Sequence, residues 1–129
     1  MSVKSNIYKE YEEVIAFGKI QNNDLVRFIT NTTCFIGREP TVSNQGYIAD
    51  EKEQIIYIGS SQKLSRKHLK IYWDYNHQSW FIQNLSKNNA YINKKLIKLN
   101  DEPIELLPIS SIQIDCYQFY YFQARELIS

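Results

Sequence analysis

Apolar residues along this chain recur in short bursts rather than at helical spacing. The runs VIAFGKI, DLVRFIT, CFIG, IIYIG, LKIYW, WFIQNL, AYIN, KLIKL and SIQIDCYQFYYFQ are alternating or continuous apolar stretches, rich in β-branched and aromatic residues. That is the composition of strands. Between them lie QNN, NTT, DYNHQ, SKNN, NKK and NDEP, which are turn compositions. Many short strands joined by tight turns, with no helix long enough to serve as a crossover, predict an all-β fold, an antiparallel sandwich or barrel. Helical periodicity is confined to residues 4–13, where Ile7, Tyr8 and Tyr11 share a side, and predicts a short N-terminal helix. The expected organisation is an extension over 1–13, one β domain over 14–124 and a tail over 125–129.

Two polar stretches interrupt the strand rhythm. REPTVSNQGYIADEKEQ, residues 38–54, reads as a long loop with an acidic second half. GSSQKLSRKH, residues 59–68, carries Lys63, Arg66 and Lys67 and no acid. Long polar loops of a sandwich gather at its ends, where they hold binding residues on a rigid frame. If both loops reach the same end, Arg38 stands beside the cationic cluster.

Charge sharpens this picture, because the chain as a whole is almost neutral. Against 15 Lys and Arg stand 14 Asp and Glu, a net charge of +1. No whole-protein attraction toward nucleic acid or anionic lipid follows, so an electropositive site has to be local. No apolar run approaches the ~20 residues of a membrane span, and the N-terminal segment lacks the apolar core of a signal peptide. Cys34 and Cys116 each sit among apolar neighbours and are expected as reduced core thiols in an intracellular protein. The sequons at Asn31 and Asn84 read as chance matches in an Asn-rich chain.

The candidate residues have plain readings as well as chemical ones. Arg38 follows a buried-strand run and should stand at the sheet rim. Its planar fork suits phosphate or carboxylate, and alone it is equally a rim salt-bridge partner. Gly37 marks a close backbone approach. Ser65 can donate to a phosphate oxygen amid the cations, or satisfy its own turn. Arg66 and Lys67 face opposite ways in extended chain, and position favours Arg66 for the ligand side. A Ser65–His68 hydrolase would need an orienting third group and oxyanion donors, and the sequence offers neither. His68, opening a strand, reads better as a structural pin. Cys34, His68, His77 and Cys116 have no metal-ligand spacing. Asn88–Asn89 and Asn93–Lys94 both look like turns needing positive φ. The Asn88 amide either reads a peptide backbone or merely shapes its loop.

In order, these pieces run Gly37-Arg38, then Ser65-x-x-His68, then Leu85-Ser86-Lys87-Asn88-Asn89-Ala90-Tyr91-Ile92-Asn93. That succession resembles the forkhead-associated (FHA) domain, over residues from about Ala16 to Phe122. The wording SKNNAYIN, with Lys before the Asn pair, looks closest to FHA domains of certain forkhead transcription factors. The resemblance implies a β-sandwich of about eleven strands that binds phosphothreonine peptides through the loops at one end. By that likeness Arg38 and Ser65 would hold phosphate, and Arg66 would contact phosphate or a flanking residue. Lys87 would sit by the phosphate, and Asn88 and Asn89 would meet the ligand backbone. Gly37 and His68 would be structural supports. Two departures stand out, since family members usually have Gly at Asn89 and often at Lys94. A lysine forced to positive φ costs about 1 kcal/mol.

The resemblance therefore implies a nuclear signalling module that recruits a phosphothreonine-bearing protein. It implies no catalysis, no metal or cofactor, no small-molecule substrate, and no direct contact with nucleic acid or membrane. A second expectation is an FHA fold used for phosphorylation-independent assembly or dimerisation, motivated by Tyr72, Tyr91, Tyr117, Tyr120 and Tyr121.

Overall fold

A computed structural model describes residues 16–40 and 53–124. The expected helix at 4–13 and most of the 38–54 loop lie outside these residues. The described chain forms eleven strands: β1 (Gly18–Gln21), β2 (Val26–Ile29), β3 (Thr33–Arg38), β4 (Gln54–Gly59), β5 (Leu69–Asp74), β6 (Ser79–Asn84), β7 (Ala90–Ile92), β8 (Lys95–Ile97), β9 (Ile104–Glu105), β10 (Ile109–Ile114) and β11 (Tyr117–Gln123). They make two sheets, ordered β2-β1-β11-β10-β7-β8 and β4-β3-β5-β6-β9. Period-two alternation sends Ile20, Ile36, Ile71, Trp80, Ile82, Ile112 and Phe119 into the space between them, each at most 1 % exposed. The all-β sandwich expected from the hydrophobic pattern is the observed architecture.

Three local features depart from the pattern. The pairing is antiparallel except between β3 and β4, which run parallel. Residues 39–53 connect them, a span of the length a parallel crossover needs even without a helix. The long run SIQIDCYQFYYFQ is two strands, because Ile114 pairs with Tyr117 across an Asp115–Cys116 turn with Asp115 at φ 53°. Cys116 is therefore exposed at a hairpin tip, not in the core. Cys34 is buried as expected, and burial pushes its thiol up to about 12.

The Asn93–Lys94 turn between β7 and β8 takes the predicted backbone. Ile92 pairs with Lys95, and the two loop residues have φ of 51° and 69°. A two-residue hairpin loop with both φ positive matches the right-handed twist of its strands. Asn tolerates this conformation, whereas Lys94 is strained there. Asn88 and Asn89 are different: neither is among the described residues of positive φ. Their turn is shaped by side-chain bonds instead, so the substitution of Asn89 for glycine carries no backbone strain. Lys94→Gly is expected to raise the unfolding free energy by about 0.5–1 kcal/mol, seen as a higher urea midpoint at unchanged slope.

Candidate functional site

Three segments meet at one end of the sandwich: the end of β3, the loop 60–68 and the loop 85–89. Gly37 brings the first two together. A Cβ there would overlap the Arg66 carbonyl and lie 2.7 Å from Ser65 O, so the strand can pass the loop only as glycine. The contact is tied by main-chain bonds, Arg38 N–H to Ser65 O at 3.0 Å and His68 N–H to Ile36 O at 2.8 Å. Both β3 neighbours of Gly37 are thus paired to the loop.

His68 joins the third segment and is fully buried. Its Nδ1 accepts from the Ser65 N–H at 3.1 Å, which leaves the proton on Nε2 to be donated to Asn88 O at 3.0 Å. Its carbonyl accepts from Leu85 N–H at 2.9 Å. One imidazole therefore fixes the backbones at Ser65 and Asn88 at once. Neither ring nitrogen is available to the Ser65 hydroxyl, which instead shares a 2.7 Å hydrogen bond with the Ser86 hydroxyl. A nucleophile–base pair requires a bond from hydroxyl to imidazole, and this geometry does not make it. Among the described residues no three His, Cys, Asp or Glu side chains cluster as a metal site.

Two residues outside the expected set complete the scaffold. Asn84 is 2 % exposed, donates to Asn88 O at 3.1 Å and Ile97 O at 3.0 Å, and accepts from Ser86 N–H at 2.9 Å. Ser86 Oγ also receives the Asn88 N–H at 3.0 Å. Strand alternation puts Asn84 on the same inward side as Trp80 and Ile82, and an inward polar residue is a recognisable signal of a buried network. The sequon Asn84-Leu85-Ser86 is thus part of a buried network. With its amide spent on two carbonyls, Asn84 is inaccessible to glycosylation in the folded chain.

The cations divide by their partners. Lys67 bonds Glu53 at 2.7 Å and lies 4.6 Å from the centroid of the Phe35 ring. It forms a turn with Arg66 rather than extended chain, and both line one groove, so the expected opposite facing is not observed. Arg66 and Lys87 are exposed, with no hydrogen bond or ion pair among the described residues. Arg38 bonds only the neutral Gln62 amide, at 3.1 Å, so its charge has no acidic partner in the described chain. Lys63 lies 3.9 Å from Asp115. Arg38, Arg66 and Lys67 line a groove of about 400 Å³ with Pro40, Ile55 and Tyr57. Asn88 and Asn89 line another of about 250 Å³, with Lys63 and Tyr91 among its walls. The Asn88 Nδ2 donates to Lys63 O at 2.8 Å, which leaves its Oδ1 as the polar atom without a partner among the described residues.

This arrangement matches a known family. The model of the FHA domain matches residues 34–115. This chain belongs to the FHA domain family. Among curated proteins, it is 25% identical over 121 residues to Fork head protein homolog 2 of Schizosaccharomyces pombe, an alignment covering 93% of this chain and 19% of that protein. It is 23% identical over 105 residues to Transcriptional activator FHA1 of Nicotiana tabacum, covering 81% of this chain and 47% of the relative. The chain thus spans under half the length of either relative. Among solved structures, it is similar to the MEK1 FHA domain in complex with a HOP1 phosphothreonine peptide, with a TM-score of 0.61, 16% identity, and coverage of 84% of this chain and 98% of that one. It is also similar to the N-terminal FHA domain of S. cerevisiae RAD53P in complex with a phosphothreonine peptide, with a TM-score of 0.62, 13% identity, and coverage of 83% and 93%. These likenesses show a shared FHA fold. Among the described residues, no helix is long and apolar enough to cross a membrane.

Burial holds the His68 imidazole below its ordinary pKa, the bond to Asn88 O opposing this only in part. The folded state therefore binds this proton less readily than the unfolded chain. Between the folded value and the unfolded value of about 6.5, the unfolded state carries more protons and stability rises with pH. The contribution is complete above about pH 6.5 and is lost as pH falls below it. Thermal melts from pH 8 to 5 should show this loss, and His68→Gln should remove that component of the slope. Gly37→Ala should cost about 1–3 kcal/mol or more in urea unfolding, as an overpacked site.

Proposed function

We propose that this FHA domain binds a phosphothreonine-bearing segment of a partner protein and so mediates a phosphorylation-dependent contact, without catalysing a reaction. The observation that carries the proposal is the set of cations without acidic partners among the described residues, Arg38, Arg66 and Lys87, around a loop whose backbone is fixed by His68. A phosphothreonine brings close to two negative charges and several acceptor oxygens at neutral pH. Cations without acidic partners beside hydroxyl donors are the matching chemistry.

In this reading Arg38 supplies a bidentate fork to the phosphate. Of the Ser65 and Ser86 hydroxyls, one donates to the other and the second keeps its proton for a phosphate oxygen. Arg66 contacts phosphate or a flanking residue, and Lys87 adds charge beside them. The Asn88 amide nitrogen is held by Lys63 O, so its Oδ1 accepts a ligand main-chain N–H, with Asn89 beside it. Gly37 and His68 support the loop and do not touch ligand. Relatives named a fork head protein and a transcriptional activator support a nuclear setting, and the phosphopeptide complexes of similar structures support the ligand class.

Calorimetry against a phosphothreonine peptide library tests the proposal. Binding to some phosphorylated sequences and not to their unphosphorylated forms is expected. Arg38→Ala and Ser65→Ala should each weaken it at least about tenfold, the loss of one charge-assisted bond, with the circular dichroism unchanged. Equal binding of unphosphorylated peptides, or no binding across the library, overturns it.

A further inference from the structure

The Ser65 and Ser86 hydroxyls lie 2.7 Å apart, a distance that fits a hydrogen bond in either direction. Their surroundings decide which one donates. Ser86 is 2% exposed, and its Oγ already accepts the Asn88 N–H at 3.0 Å. Its main-chain N–H goes to Asn84 Oδ1 at 2.9 Å, which fixes the residue beneath the loop. Among the described residues the Ser86 hydroxyl has no partner besides Asn88 N–H and Ser65. Ser65 is only half-buried, and its Oγ bonds Ser86 alone among the described residues.

A serine hydroxyl has one proton and two lone pairs. Were Ser65 the donor, Ser86 Oγ would accept twice, from Asn88 N–H and from Ser65, and its own proton would be buried with nothing to receive it. A buried donor left unpaired is costly, and native structures avoid it. With Ser86 as the donor, the buried residue is satisfied: one lone pair takes the Asn88 N–H and the proton goes to Ser65 Oγ. The proton that remains belongs to Ser65, at the accessible end of the pair.

We propose that Ser86 is a positioning residue for Ser65, an inference that rests on the phosphothreonine-binding role assigned above. Its hydroxyl donates to Ser65 Oγ and so turns the Ser65 proton outward, as a donor to the phosphate. The bonds from Asn88 N–H to Ser86 and from Ser86 to Ser65 run in one direction, and each donor in such a chain strengthens the next. An ionised phosphate oxygen, which only accepts, is the group that completes it. Ser86 is too buried to reach a ligand and acts only through its neighbour. The work on Ser65 is thus divided. His68 Nδ1 holds its main-chain N–H at 3.1 Å and places the residue, whereas Ser86 sets the direction of its hydroxyl.

A double-mutant cycle by calorimetry, with the tightest phosphothreonine peptide of the library, tests the assignment. Ser86→Ala should weaken binding about three- to tenfold. In the Ser65→Ala background it should cost less than about twofold more, because the hydroxyl that it orients is gone. Ser86→Cys, a weak S–H donor at the same place, should shift binding the same way and takes the place of the alanine variant if that one does not fold. A role confined to holding the Asn88 N–H would cost the same factor in both backgrounds. That result, or a Ser86→Ala variant that binds as wild type does, overturns the proposal while leaving phosphopeptide binding intact. A wild type that binds no phosphopeptide overturns both. The hydroxyl protons give a second readout that needs no ligand. By NMR the Ser86 hydroxyl proton of the free protein should exchange slowly with water, and the Ser65 proton should not. Protection at Ser65 instead, or at neither, overturns the assignment.

Discussion

The site end of this sandwich depends on one buried imidazole. His68 uses its main-chain N–H on β3, its carbonyl on Leu85, one ring nitrogen on Ser65 and the other on Asn88. Ile36, Leu85 and Asn88 lie in segments distant in sequence while Ser65 is three residues away, and of the four only Ile36 has regular secondary structure at the point of contact. A strand ladder cannot join such segments, because their chain directions differ. A side chain with a donor at one end and an acceptor at the other can, provided that it stays neutral. Desolvation keeps it neutral, so the burial of His68 and its bonding role sustain each other.

Gly37 is the complement of His68. Removing a Cβ lets the loop peptide press against β3, and that contact sets where Arg38 leaves the sheet. The order of cause is backbone first and cations second. The charged groups are carried on a frame fixed by glycine, imidazole, Asn84 and Ser86, none of them charged in this setting. Lys67 differs from Arg66 in its partners, since it bonds Glu53 and lies against the Phe35 ring while Arg66 has no ion pair among the described residues.

Strand positions were legible in the sequence wherever alternation ran uninterrupted, as in LKIYW and WFIQNL. They were obscured where two strands shared one apolar run: the Asp115–Cys116 turn contains no glycine, proline or asparagine to mark it. The two residues of β9 are too few to show a period. Parallel pairing of β3 with β4 leaves no local trace, because it depends on where a long connection returns. At the site, Gly37, Arg38, Ser65 and His68 were visible through order and residue type. The roles of Asn84 and Ser86 were not, because a buried polar network is defined by partners far along the chain. The positive φ expected of Asn88 and Asn89 failed for a related reason: the Ser86 hydroxyl and the His68 ring bend that loop, so the backbone need not.

The Tyr117 hydroxyl joins the six-stranded sheet to the start of the Ser65 loop by taking two successive main-chain N–H groups, and Gly59 has no side chain because the ring occupies that space. The loop is consequently clamped at both its ends, by Tyr117 before it and by His68 after it. Its configurational entropy is surrendered when the chain folds, not when something docks. For any ligand that meets this end of the sandwich, the encounter is with a surface already in its final shape. Selectivity among ligands would then reside in how long each stays rather than how fast it arrives.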